Sequence, residues 1–182
     1  MRLASAACFA ALALSGPAFA FEDELTGLAI NLPDTFIVED ALPPLDYLIS
    51  FGVKNATGAP AAFEGEAHLC SVSFLPDPAN AEFTQEQLNT AVQSDKWRDF
   101  MQNMLSQDAD VGEITKFDLN GISGQEFMVT SREKRDRDAR AVMSFLETPK
   151  GRTLVSCVTD AETLDQHLEI FRTIRDRVTP PA

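Results

Sequence analysis

Histidine, cysteine and tryptophan are scarce in this chain, at two, three and one of 182 residues. With only His68 and His167 to draw on, a zinc site would lack the closely spaced His and Cys ligands it needs, and no metal site is predicted. No Cys-X-X-Cys pair occurs, and neither a G-x-G-x-x-G fingerprint nor a P-loop is present, so no cofactor is predicted. "GISGQ" at residues 121–125 sets a serine between glycines but does not spell G-x-S-x-G, and it belongs to a hairpin rather than to a strand-to-helix elbow. "DADVGE" at 108–113 spaces carboxylates as a calcium loop does, yet its glycine comes one place early and no glutamate closes the loop. No catalytic residue is assigned, and the chain reads as a non-enzyme. Basic residues are also few, 15 Lys and Arg against 28 Asp and Glu, for a net charge of −13. Nucleic acid and anionic lipid surfaces both demand clustered cations, so neither is an expected partner.

What is present begins with a short basic start, Met1-Arg2, followed by the apolar "LASAACFAALALSGPAFA" and then the acidic "FEDE". Ala18-Phe19-Ala20 is a small-residue site for signal peptidase, which predicts cleavage between Ala20 and Phe21, and Gly16-Pro17 breaks the apolar helix just upstream. The alternative, an uncleaved anchor, needs about 20 apolar residues to span a bilayer, more than this stretch supplies. Cys8 arrives before a full apolar stretch has formed and follows Ser5-Ala6-Ala7 rather than a leucine-led lipoprotein box. Residues 1–20 are therefore expected to be removed and residues 21–182 to form one exported domain, periplasmic or secreted, with no membrane insertion after cleavage. Losing Arg2 makes the charge one unit more negative, and a hydrophobic share of 45% is enough to bury a core.

Once Cys8 is lost with the leader, Cys70 in "AHLCSVSFLP" and Cys157 in "TLVSCVTD" remain. Both lie in β-type apolar runs, and an even pair in an oxidising compartment reads most simply as one disulfide. Two buried thiols or a redox pair are the alternatives; against the latter, neither cysteine is placed to have its thiol pKa lowered.

Strands are predicted at 26–33, where Leu28, Ile30 and Leu32 alternate onto one face, and at 35–40, paired back through a turn at Pro33-Asp34. Further strands are expected at 47–53 and 68–75, separated by the loop-like 55–66. Thr84-Gln85-Glu86-Gln87 has capping-box spacing and opens a helix with Leu88, Ala91 and Val92 on its apolar side. Past Ser94 the stripe changes phase to Trp97, Phe100, Met101, Met104 and Leu105, which predicts a break near Ser94-Asp95 and a core-facing helix, or else a ligand or partner groove. Strands follow at 114–119, 125–131, 139–147 and 152–159. They are joined by Asn120-Gly121, a strong type I′ hairpin signal, by the charged 132–138, and by Pro149-Lys150-Gly151, and so form a meander. A second capping box, Thr159 to Glu162, opens a last helix carrying Leu164, Leu168, Phe171, Ile174 and Val178, ended by Pro180-Pro181. The predicted class is α+β: an antiparallel meander sheet packed with a central helical segment and a C-terminal helix.

"TGLAINLPDTFIVED" at the front and "TPKGRTLVSCVTDAETLDQHLEIFRTI" at the back resemble the PsbP-like fold. That resemblance implies a sheet held between helices in an α/β/α sandwich, with the last strand leading into a closing helix. It also implies a binding or accessory role rather than catalysis, and it carries over no functional residue.

One cluster stands out on an otherwise acidic chain: Arg132, Lys134, Arg135, Arg137 and Arg140, interleaved with Glu133, Asp136 and Asp138. It is either a solvated loop whose charges largely cancel or a docking site for an acidic or phosphate-bearing partner. The functional expectation is an exported, non-catalytic binding or accessory protein of the bacterial envelope with an envelope protein as partner. The alternative is a small-ligand-binding protein or cryptic hydrolase whose pocket lies between the sheet and the Trp97 helix. N-terminal sequencing of the exported protein is expected to start at Phe21; a start at Met1 would remove the cleavage assignment.

Overall fold

In the computed structural model, which describes residues 19–63, 66–132 and 138–182, the chain opens with two short strands, β1 (Phe19–Glu22) and β2 (Ala29–Leu32). Next come β3 (Phe36–Asp40), β4 (Ile49–Asn55) and β5 (Cys70–Pro76), then a 3-10 turn (Pro78–Glu82) and two helices, α1 (Gln85–Val92) and α2 (Asp95–Leu105). The meander follows as β6 (Ala109–Leu119), β7 (Ile122–Ser131), β8 (Ala139–Thr148) and β9 (Gly151–Asp160). A 3-10 turn (Ala161–Thr163), α3 (Leu164–Arg175) and a last short strand, β10 (Val178–Thr179), complete the chain. Among the described residues the main sheet has seven strands in the order β3-β4-β5-β9-β8-β7-β6, every neighbour antiparallel, and a smaller sheet has the order β1-β2-β10. The protein is an α+β fold.

Alternation within the strands sends side chains to two faces of the main sheet. On one face Phe127, Phe145 and Leu154 meet Met101 of α2, with Trp97, Leu105 and Tyr47 packed around them. On the other, Phe51, Val53, Val72, Phe74, Val142 and Val155 meet Leu28, Ile30 and Leu32 of the small sheet, Phe171 and Ile174 of α3, and Val178. Helices α1 and α2 thus cover one side, and α3 with the small sheet covers the other.

Local sequence explains most boundaries. The Thr84 hydroxyl accepts from the Gln87 N–H while the Gln87 side chain accepts from the Thr84 N–H, the reciprocal box that starts α1. Ser94 caps α2 through the Trp97 N–H, which is the expected break between the two helices. Asn120 and Gly121 both hold positive φ, 54° and 84°, as a type I′ turn requires.

Three expectations are corrected. Strand β3 does not pair back onto β2: the turn through Pro33, closed by the Phe36 N–H on the Pro33 carbonyl, hands the chain from the small sheet to the main one, where β3 pairs with β4. Strand β2 pairs instead with β1, whose residues were assigned in part to the leader, and with β10. Cleavage after Ala20 leaves Phe21 opposite Ile30 and Glu22 opposite Ala29, with the Phe21 ring edge-on to Phe51 at 4.5 Å. The capping box at Thr159 does not form, because the Thr159 hydroxyl is taken by Thr163 and His167; a 3-10 turn intervenes and α3 starts at Leu164 with no side-chain cap. Val178 belongs to β10, not to the last helix.

Cys70 and Cys157 are direct cross-strand partners of β5 and β9, with Cα atoms 4.0 Å apart, and are joined as a disulfide. The close spacing marks a non-hydrogen-bonded pair. Closing a loop of this length, a sequence separation of 87, contributes about 4–5 kcal/mol in the chain-entropy account.

Helix α3 is fixed by charge as well as by packing. Glu126 of β7, 2% exposed, accepts from Arg172 (3.1 and 2.8 Å) on one oxygen and from Arg175 (2.7 Å) on the other. The Arg175 guanidinium lies 4.1 Å over the ring of Phe117, which in turn lies flat on Gly124, its cross-strand partner, where a Cβ would overlap the ring. Removing Glu126 strips Arg172 of its bonded carboxylate and leaves Arg175, which is buried, with Asp176 alone. Glu126→Ala is expected to lower stability by about 3–5 kcal/mol, read as a reduced urea midpoint at neutral pH.

Candidate functional site

The end of the β8–β9 hairpin builds a polar anchor on the α1–α2 side. Glu147 and Arg152 are cross-strand partners flanking the turn, so both side chains leave the same face. The Glu147 carboxylate accepts from Arg152 Nε at 2.6 Å and, on its other oxygen, from Asn80 Nδ2 at 3.1 Å. Asn80 also donates to the Thr148 carbonyl, and Gln85 donates to the Glu147 carbonyl, which ties the first 3-10 turn and the start of α1 to this hairpin. The Arg152 guanidinium sits 6.0 Å from the centroid of Phe145.

Between this anchor and the two helices lies a cleft of about 350 Å³, walled by Phe83, Leu88, Val92 and Trp97, with Asp77 and Arg152 among its polar lining. Its size falls within the range of small-molecule sites. Trp97 packs against Phe127 and Phe145 at 6.2 and 6.4 Å. The cleft lies beside Trp97 and is bounded mainly by α1, the first 3-10 turn and the β8–β9 end of the sheet. Arg152 spends Nε on Glu147, and its two terminal nitrogens have no hydrogen-bond partner among the described residues; its side chain is 20% exposed. Nearby, burial pushes the Tyr47 hydroxyl above its ordinary pKa, against the opposing effect of Arg152.

The expected stripe on α2 divides. Trp97, Met101 and Leu105 turn inward, whereas Phe100 and Met104 are exposed. Of the cationic cluster, Lys134, Arg135 and Arg137 lie outside the described residues. Arg132 is bonded to Asp110 and to the Ser106 carbonyl, and Arg140 to Thr130, so the two described members are engaged within the protein. His68 is paired with Glu39, which also holds Lys54; these two partners draw the Glu39 carboxyl below its ordinary pKa, Lys54 more than His68. His167 is half-buried, with Nδ1 2.7 Å from the Thr159 hydroxyl and its ring 6.0 Å from Phe171. That hydroxyl–imidazole pair has the geometry of an activated nucleophile, but Thr159 is 3% exposed, out of a substrate's reach. Each Glu147 oxygen is engaged once, by Arg152 on one side and by Asn80 on the other, so the carboxylate is held in one orientation beside the cleft. Among the described residues no group of three or more His, Cys, Asp or Glu side chains is placed to hold a metal ion, and no helix is long and apolar enough to cross a membrane.

Sequence reasoning missed Asn80, Glu147 and Arg152. The signal for the Glu147–Arg152 pair was present in "ETPKGR", where opposite charges stand symmetrically about a turn, whereas nothing local marked Asn80.

No family model matches the chain, and no curated protein matches it in sequence. Among solved structures it is similar to cyanobacterial PsbP (CyanoP) from Synechocystis sp. PCC 6803, at 14% identity and TM-score 0.48, covering 94% of this chain and 98% of that one. It is also similar to PA94 of Pseudomonas aeruginosa, a protein of unknown function, at 9% identity and TM-score 0.45, over 92% and 99% of the two chains. A third similarity is to the type VI secretion immunity protein TplEi of Pseudomonas aeruginosa, at 16% identity and TM-score 0.41, over 92% of this chain and 51% of that one. The PsbP-like resemblance is one of distant layout, and the chemistry of the cleft is drawn from this chain alone.

The Glu147–Arg152 pair is mostly buried, so its two halves are expected to be strongly interdependent. Glu147→Ala should cost about 3–5 kcal/mol by leaving Arg152 uncompensated. A double Glu147→Gln, Arg152→Gln variant should cost less than the sum of its single changes in a urea double-mutant cycle.

Proposed function

We propose that this chain is an exported, non-catalytic binding protein whose site is the cleft between the α1–α2 pair and the β8–β9 end of the sheet. The observation that carries this reading is the cleft itself. It has an apolar and aromatic wall, one guanidinium with unspent donors, and a supporting network of Asn80, Gln85 and Glu147 that holds that guanidinium in place. A site of this kind binds by burying an apolar body and fixing one polar group.

A second reading, an envelope protein as partner, is favoured by a different feature. Residues 41–48 form a loop tied to the sheet by the Ala41 N–H on the Ser50 carbonyl and the Leu48 N–H on the Phe74 carbonyl. Its tip nevertheless holds Leu42 and Leu45 out at 94% and 89% exposure, between Asp40 and Asp46. Apolar side chains presented on an anchored loop suit a protein partner with an apolar seat and a basic rim.

The cleft reading is tested with Trp97, the single tryptophan of the chain. A small-molecule screen by intrinsic fluorescence is expected to give saturable shifts. Ala91→Phe, a change at an exposed helix position lining the cleft, is expected to weaken them at least tenfold without lowering thermal stability. Shifts unaffected by Ala91→Phe would place binding elsewhere. A screen with no saturable response would remove the cleft reading and leave the loop as the site to pursue.

A further inference from the structure

The cleft holds one cation, and the way that cation is bonded selects the ligand. Arg152 is oriented by Glu147 through Nε alone, so the remaining edge of the guanidinium, its two terminal nitrogens, is the side left without a partner among the described residues. A guanidinium edge presents two parallel N–H donors, the arrangement that a carboxylate fills with two charge-assisted hydrogen bonds. We infer that the cleft binds a small monocarboxylate with an apolar or aromatic body, its carboxylate on the free edge of Arg152 and its body against Trp97, Leu88 and Val92. This inference rests on the cleft reading above and narrows it to a ligand class.

Charge in and around the cleft decides against other anions. Glu147 lies directly against the far side of the guanidinium, and Asp77, whose carboxylate caps the 3-10 turn at the Ala79 N–H, also lines the cleft. The chain as a whole carries −13. A ligand with a single negative charge meets one guanidinium and is tolerated. A phosphate or a dicarboxylate brings a second charge, and among the described residues that line the cleft no second cation receives it, so it binds more weakly. At the free edge of Arg152 an amine meets a like charge and is repelled from that position. The apolar walls supply the rest of the affinity by burying the ligand's body, and that part does not depend on its charge.

The test uses three ligands that share one body: phenylacetate, its neutral amide phenylacetamide, and phenethylamine, each titrated into the full exported protein with Trp97 fluorescence as readout. Phenylacetate is expected to bind saturably, the amide at least about tenfold more weakly, and the amine without measurable response. Arg152→Lys keeps a charge for Glu147 but loses the fork, and should narrow the gap between acid and amide. The double Glu147→Gln, Arg152→Gln variant, checked for folding by thermal unfolding, should abolish the gap while leaving weak binding of the amide. Equal affinity for acid and amide, or an acid preference that survives in the double variant, would overturn the carboxylate assignment and leave the cleft as a binding site. No response to any of the three ligands, together with a blank screen, would overturn both.

Discussion

The two halves of the main sheet meet along a single seam. Strands β3, β4 and β5 come from the first part of the chain and β6 to β9 from the second, and the contact that joins them is the antiparallel pairing of β5 with β9. Bringing such distant segments together carries a loop-closure cost before any pairing rewards it. Two things offset that cost at the seam. Val72 and Val155 lie opposite each other in the buried cluster, and one step along the same face Cys70 and Cys157 are covalently linked. The small sheet and α3 then cover that face, so the seam is also where the larger core is centred.

The binding cleft inherits its geometry from this seam. Arg152 stands on β9 three residues before Val155 of the buried cluster, opposite Leu75 of β5 on one side and Glu147 of β8 on the other. The first 3-10 turn follows β5 directly, which is why Asn80 can reach Glu147 and why α1 starts beside the hairpin end. The polar anchor, the tryptophan wall and the chain reversal that sets them apart therefore rest on one alignment of strands. On the opposite face the Glu126 cluster does for α3 what Asn80 and Gln85 do for α1: it fixes where a helix lies on the sheet through one buried carboxylate.

Where the chemistry was local, the chain could be read directly. The Thr84 box, the break at Ser94, the Asn120-Gly121 turn and the meander all follow from residues within a few positions of one another. The disulfide was readable because only two cysteines lie beyond residue 20, both in strand-like runs. The errors share a cause. Whether β3 pairs with β2 or β4 depends on which layer each strand joins, and alternation within a strand says nothing about that. Thr159 had the spacing of a cap, but its hydroxyl was claimed by a histidine eight residues on, in a helix whose start is set by packing. Phe100 and Met104 share a stripe with Trp97 because a broad apolar face on α2 exceeds what the sheet can cover. The cleft could be placed beside Trp97 from sequence, while its polar anchor could not, since Asn80 meets Glu147 across 67 residues.

The disulfide has one more consequence. Both cysteines are 1% exposed, under the small sheet and α3. Thiol–disulfide exchange needs a thiolate to approach one sulfur, and the covered face denies that approach while the fold is intact. The link is therefore shielded, and its exchange is tied to opening of the layer that covers it. A reductant in the surrounding medium reaches the bond only when the small sheet or α3 lifts from the main sheet.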